Sequence, residues 1–312
     1  MRWRLAGGAG AKRRSVRRAR PGLEDLEGRE LLNGAPPVPI AAPPAQHAAT
    51  VSIQSIGPKN VADMERNLTT PTAWYVYHGV DPTTLSHLLS QNQARLVDLQ
   101  VDSTSPYRFT VAMVKNTGDY AKAWWWYYGI SGDQLTTFLN NNHARLIDLE
   151  TYQVNGATRF AAIMVANTGD DAKAWWYYVN VSPSFITQKL NANQARLVDI
   201  QRQANGNFTV VMDRNSGIDA EAWWWYYGVS AGQVNTLLQM NHARLTEFER
   251  QPDGNYTVLM VRNPSTRWYY YYGVTAQQVV NLGLMNHARV FDLDPYQVGG
   301  QTLFTTVMVG NP

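Results

Sequence analysis

Six residues, Trp124-Trp-Trp-Tyr-Tyr-Gly129, constrain this chain more than any others, because they return four more times in recognisable form. The other copies are Trp74-Tyr-Val-Tyr-His-Gly79, Trp175-Trp-Tyr-Tyr-Val-Asn180, Trp223-Trp-Trp-Tyr-Tyr-Gly228 and Trp268-Tyr-Tyr-Tyr-Tyr-Gly273, and their first tryptophans stand 50, 51, 48 and 45 positions apart. These boxes hold 10 of the 11 Trp and 12 of the 17 Tyr, so the material for a core is itself periodic. A fixed period of this length marks stacked supersecondary units, each unable to bury its apolar face alone. The 312 residues are therefore read as one array of five units and not as two ordinary domains.

Each unit reads the same way. Aromatic side chains fit a pleated surface, so the box is a strand. A helix N-cap follows two residues later, at Asp81, Ser131, Ser182, Ser230 and Thr275, with Pro82 and Pro183 at the first helical position and Gln134, Gln233 and Gln278 where a capping box needs them. Apolar residues then fall four, seven and eight positions after the cap, as in Leu85, Leu88 and Leu89, which makes one stripe on a short helix. Lys189 breaks the stripe in the third unit and Gly283 in the fifth. Eleven positions after each cap stands an asparagine (Asn92, Asn142, Asn193, Asn241, Asn286), a residue that tolerates the left-handed conformation and so predicts the helix stop. Next come a strand of the type Ala94-Arg-Leu-Val-Asp-Leu99, a turn such as Asn155-Gly156 with hairpin chemistry, and a second alternating strand such as Phe109 to Val114. The predicted fold is an α+β repeat protein of five strand-helix-strand-strand units with antiparallel hairpins, either a closed ring or an open curved array.

The array occupies residues 49–312. Its first stretch, Ala49-Thr-Val-Ser-Ile-Gln-Ser-Ile56, alternates like a strand and favours closure if it pairs with the last unit. Residues 35–48 form a Pro/Ala linker, extended and poor at packing. Residues 1–34 are a tail whose first 20 positions carry eight Lys/Arg and no acid, leaving 19 basic against 24 acidic residues elsewhere. The overall charge of +3 therefore belongs to the tail, and the array has no electrostatic footprint for nucleic acid. No apolar run approaches 18 residues, so no transmembrane helix is predicted, and without cysteine neither disulfides nor thiolate metal sites are available.

Three rows offer candidate binding residues. Trp never varies at the first box position (Trp74, Trp124, Trp175, Trp223, Trp268), nor Tyr at the fourth (Tyr77, Tyr127, Tyr178, Tyr226, Tyr271). Three apart on a strand, they face opposite ways, so the strand is covered on both sides, by its own helix and by a neighbouring unit. Core packing is the favoured role, and an aromatic lining for a glycan or extended peptide is the functional alternative. The Arg row (Arg95, Arg145, Arg196, Arg244, Arg289) precedes an acid by three positions (Asp98, Asp148, Asp199, Glu247, Asp292). That spacing again implies opposite faces, hence ion pairs between different strands, with an anionic ligand as the minority reading. His143, His242 and His287 alternate with Gln93 and Gln194, which argues against a repeated metal site. No Gly-x-Ser-x-Gly, Ser-x-x-Lys or His-Glu-x-x-His pattern is present, and Asp170/Asp171 and Asp292/Asp294 read as solvated turn acids. The expectation is no catalytic residue, no metal and no cofactor.

Two resemblances add to this. The tail, with Leu23, Glu24, Leu26, Glu27, Arg29, Leu31 and Leu32 after a basic run, resembles the N-terminal sorting segment of planctomycete cell-surface proteins and implies a secreted or surface location. The Trp-x-x-Tyr-x-Gly box, the short helix, the Arg-Leu-x-Asp-Leu strand and the strand ending in Val-x-Asn (Val114-Lys-Asn116) resemble the bacterial tandem repeat that also forms the N-terminal region of polyglycine hydrolases. In those enzymes a separate β-lactamase-like domain with a Ser-x-x-Lys nucleophile does the chemistry, and the last repeat strand here runs up to Pro312. The resemblance thus implies the accessory part alone: a noncatalytic extracellular module that binds a polysaccharide or extended peptide, or scaffolds. A peptide-directed serine-type hydrolase and a purely structural module are the alternatives.

Overall fold

The computed structural model describes residues 72–311 apart from 119–120, 170–171, 218–219 and 264. The tail, the linker, the alternating segment 49–56 and the pair Asp170/Asp171 lie outside the described residues. The five units are β1 (Trp74–Val80), α1 (Pro82–Gln91), β2 (Ala94–Thr104), β3 (Tyr107–Lys115); β4 (Trp124–Ile130), α2 (Gly132–Asn141), β5 (Ala144–Val154), β6 (Ala157–Ala166); β7 (Trp175–Val181), α3 (Pro183–Asn193), β8 (Ala195–Arg202), β9 (Phe208–Arg214); β10 (Trp223–Val229), α4 (Ala231–Asn241), β11 (Ala243–Arg250), β12 (Tyr256–Arg262); and β13 (Trp268–Val274), α5 (Ala276–Met285), β14 (Ala288–Val298), β15 (Gln301–Gly310). The predicted strand-helix-strand-strand order holds in every one.

Each unit is a three-stranded antiparallel sheet with the last strand in the middle, as in β1-β3-β2. Among the described residues the box strand is therefore an outer strand, with one backbone edge that has no strand neighbour. The other outer strands, β2, β5, β8, β11 and β14, pack side by side around a common axis, β14 lying beside β2 as β2 lies beside β5. The five sheets stay separate and form no closed barrel. The array nevertheless curves until its last unit touches its first.

Side-chain alternation in the box explains how neighbours fit. Trp124 and Trp126 enter the first unit's core beside Leu85, Leu89 and Met113, whereas Trp125 and Tyr127 face their own unit's core with Leu135 and Leu146. The third unit is completed in the same way by Trp223 and Trp225, and the fourth by Trp268 and Tyr270. The fifth core is completed by Trp74 and Val76 of the first unit, 200 residues away in the chain from Val279 and more. Coverage on both faces is thus as the sequence predicts, and each aromatic ring withdraws on the order of 150–250 Å² from water when fully buried.

The helix ends differ from expectation. All five N-caps form, with reciprocal capping boxes at Ser131, Ser230 and Thr275. The left-handed residue is not the asparagine, however, but the next one: Gln93, His143, Gln194, His242 and His287 all have φ of 46–48°. The asparagines serve another bond. Each donates its side-chain amide to the box tyrosine of its own unit, Asn92 to Tyr77 (3.5 Å), Asn142 to Tyr127 (3.0 Å), Asn193 to Tyr178 (3.2 Å), Asn241 to Tyr226 (3.1 Å) and Asn286 to Tyr271 (2.7 Å). The fourth box position is therefore Tyr and not Phe because its hydroxyl accepts at the helix end.

Candidate functional site

The strands around the axis carry the charged rows, and one irregularity arranges them. Arg95 pairs with Val114, Leu96 with Met113 and Asp98 with Ala112, so Val97 is an extra, bulged residue. Ile147, Val198, Thr246 and Phe291 are bulged in the same place. A bulge inserts one residue without a partner and restores the face of those that follow. Arg95 and Asp98 therefore share a face, which corrects the opposite-face expectation for the whole row.

That face lines a cavity of about 100 Å³ on the axis, bounded by all five bulged residues and by Asp98, Asp148, Asp199, Glu247 and Asp292 from the five units. Its wall also includes Arg95, Lys122, Arg145, Lys173 and Asp213, so six carboxylates meet four cationic groups. The Arg row is buried, with Arg289 2% exposed. Arg145 reaches Asp213 on β9 of the next unit at 3.5 Å, and Arg196 reaches Glu221, just before β10, at 4.0 Å, so these two acids come from the next unit but lie outside the acid row. Burial, and next the charge of Arg95, hold the Arg289 guanidinium down at about 10.

The acid row has a different principal task. The Asp148 carboxylate accepts the Leu99 amide (2.8 Å), Asp199 the Leu149 amide (3.0 Å), and Asp98 the Leu293 amide (2.8 Å). Each acid thus ties its unit to the preceding one, and the third of these bonds joins the first unit to the fifth. Burial raises these carboxyls despite the amide donors, Asp98 to about 7 and Asp199 to about 8. Asp148 and Asp292 stand well above the ordinary range, first from burial and then from neighbouring carboxylates.

A second layer sits two residues on: Gln100, Glu150, Gln201, Glu249 and Asp294. Gln201 receives the Thr151 amide (2.8 Å) and donates to Glu150 (2.6 Å), linking the second and third units again. Sequence reasoning missed this layer, although a polar residue recurs there in all five units. Asp292 and Asp294 are not solvated turn acids as expected. They lie on β14, 3% and 6% exposed, because alternation along that strand turns both toward the axis.

The end-to-end junction repeats the internal ones. Within the chain, Asn116 bonds both backbone groups of Lys122, and Asn167 both of Lys173, at 2.8–2.9 Å. Asn311 does the same with Thr72, from across the junction, at 2.9 Å to both its amide and its carbonyl. Gly283, the apparent break in the helix stripe, faces Trp74 so closely that an added Cβ would lie 2.6 Å from the ring.

The aromatic rows do not form a continuous open lining. Trp124, Tyr127 and Tyr226 are 6%, 5% and 4% exposed, and Trp74, Trp175, Trp223, Trp268, Tyr77, Tyr178 and Tyr271 are half-buried between units. Lys189 lies 5.6 Å from the Tyr178 ring centre and 5.2 Å from that of Phe185, so the third unit's irregular helix residue rests on aromatic faces. Among the described residues, the nearest arrangement to a nucleophile, base and acid is in the first unit, where His78 Nδ1 meets Thr110 Oγ1 at 2.7 Å and Thr110 donates to Asp102 at 2.8 Å. Thr110 is fully buried and its hydroxyl proton is already engaged, so no line of attack opens from it.

Residues 121–167, which span the second unit, match the family described as polyglycine hydrolase-like, structural repeat. No curated protein matches the chain.

Proposed function

We propose that the chain is a noncatalytic repeat scaffold acting outside the cell, whose partner is an extended peptide or a polysaccharide. The observation that carries the reading is the division of labour in the box strand. Its aromatic side chains go into two adjacent cores, while among the described residues one backbone edge of the same strand has no strand neighbour in any of the five sheets. What the array offers repeatedly on its outside is thus backbone hydrogen bonding. An extended chain with small side chains can add to such an edge as a fourth strand. The match of the second unit to a structural repeat agrees with a supporting role. The external location rests on the tail's resemblance to a sorting segment.

The rival is a peptide-directed hydrolase, and among the described residues the His78, Thr110 and Asp102 cluster is the arrangement in its favour. Calorimetric titration of the full chain with glycine-rich peptides and with a polysaccharide panel, paired with mass spectrometry of the same mixtures, separates the readings. Saturable binding with the ligand recovered intact supports the scaffold. Shortened peptides, with cleavage abolished by His78→Ala, would transfer the case to the hydrolase. Absence of any binding leaves a purely structural module.

A further inference from the structure

The axial carboxylates are not equivalent. Four units place Asp immediately after the bulge, but the fourth has the longer Glu247, and the fifth unit alone puts Asp at the second layer, as Asp294. Both departures fall at the junction of the fourth and fifth units. There Glu247, Asp292 and Asp294 each bring a carboxylate oxygen to within 4.8 Å of the others.

Like charges gathered in a buried place need compensation. Elsewhere in the second layer a neutral amide provides it, as when Gln201 Nε2 donates to Glu150 at 2.6 Å. At this junction the compensation is incomplete. Asp292 accepts the Phe248 amide and bonds the Glu247 carboxyl. Yet Asp292 Oδ2 and Asp294 Oδ2, on side chains more than nine-tenths buried, have no hydrogen-bond partner. The axial cavity adjoins them, with Glu247 and Asp292 in its wall.

We propose that Glu247, Asp292 and Asp294 hold a hard divalent cation of the calcium class at this junction, with water ligands supplied from the axial cavity. Three carboxylates without nitrogen or sulfur select Ca²⁺, Mg²⁺ or Mn²⁺ over zinc or copper. Ligands on opposite sides of a calcium ion stand about 4.8 Å apart, twice a Ca–O distance of about 2.4 Å, so oxygens that all lie within that limit can reach one ion. The inference is independent of what the outer edges bind. Its competitor is a proton shared between Glu247 and Asp292.

The test uses the full chain, stripped with EDTA, at one fixed pH near neutrality. Calcium is titrated by calorimetry, and Tb³⁺ serves as a luminescent probe for displacement. The expected result is saturable 1:1 binding, a thermal midpoint that rises with calcium, and affinity reduced by more than about tenfold in Asp294→Asn. Asp292→Asn, which retains an acceptor for the Phe248 amide, should act alike. Asp133→Asn, at an exposed carboxylate on α2 away from the axis, is the folded control and should bind normally. A midpoint unmoved by EDTA and by millimolar Ca²⁺, Mg²⁺ and Mn²⁺ would overturn the proposal in favour of the shared proton. Binding that survives Asp294→Asn unchanged would overturn it too, since the ion would then sit elsewhere.

Discussion

Restoring the repeat's own residue at position 283 should damage this protein. Leu89, Leu139, Leu190 and Leu238 occupy the equivalent helix position in the other units, so Gly283→Leu looks like a repair. Removing glycine from a helix interior does favour the helix, by roughly 0.5–1 kcal/mol. Against that, the new Cβ would lie 2.6 Å from two atoms of the Trp74 ring and 3.2 Å from the Ala288 carbonyl oxygen. Overpacking of this kind costs ~1–3 kcal/mol. The escape route, in which Trp74 swings out, forfeits a half-buried aromatic contact, about half of the ~3 kcal/mol for a fully buried large side chain. The net expectation is a loss of about 1–2 kcal/mol. Urea unfolding of the full chain, followed by circular dichroism and tryptophan emission, measures it. In a Trp74→Ala background the same substitution should lose its penalty, a coupling of at least about 1 kcal/mol between residues 209 positions apart in sequence. A Gly283→Leu protein as stable as the parent, or more so, would refute the claim that Trp74 closes the fifth core.

Three further outcomes can be checked. Asp98 and Asp199 are held at about 7 and about 8, above an ordinary carboxyl, so the folded chain keeps protons that the unfolded chain releases above pH ~4; their contribution is full below that and lost as pH climbs to ~8. Thermal midpoints between pH 5 and 8 should therefore fall, and Asp98→Asn, which still accepts the Leu293 amide, should flatten the slope; a midpoint that rises with pH would contradict this. Tyr127→Phe removes the acceptor of the Asn142 amide and should cost ~1 kcal/mol in chemical denaturation, with the helix still present by circular dichroism. Asn311→Ala deletes two bonds to Thr72 and one from Arg289. It should cost ~2–4 kcal/mol and speed amide exchange at Thr72, whereas an unchanged exchange rate there would mean the ends are held by something else.

Much of this architecture is legible because its signals are local and repeat. Box, cap, stripe and hairpin each follow from residue spacing, and five copies make a chance pattern implausible. The faces of the box strand were readable for the same reason, since Trp74 and Tyr77 stand three apart on a regular stretch. The Arg and acid rows were not, because nothing in Arg95-Leu-Val-Asp98 distinguishes a bulged Val97 from a plain alternating residue. The helix stop was misplaced by one position because Asn favours the left-handed region on average, whereas here the Tyr77 hydroxyl recruits Asn92 and leaves the turn to Gln93. Asp292 and Asp294 looked exposed because neighbouring acids usually are; only the packing of five strands around one axis buries them. The end-to-end contact left no local trace at all. Asn311 and Thr72 are ordinary residues, and Gly283 reads as a flaw until Trp74 is seen against it.

The junction between Asn311 and Thr72 also bears on how such a chain can change over generations. In an open stack a duplicated repeat merely lengthens the molecule, and copy number drifts freely. Here the fifth core is finished by the first unit's Trp74, and the Leu293 amide by the first unit's Asp98. A sixth copy would separate those partners and strand an unfinished core at each end, and the loss of one copy would do the same. The tally of repeats is thereby fixed by geometry, while the place where the chain is cut is not. A gene rejoined at its ends and reopened between any two units should encode the same molecule.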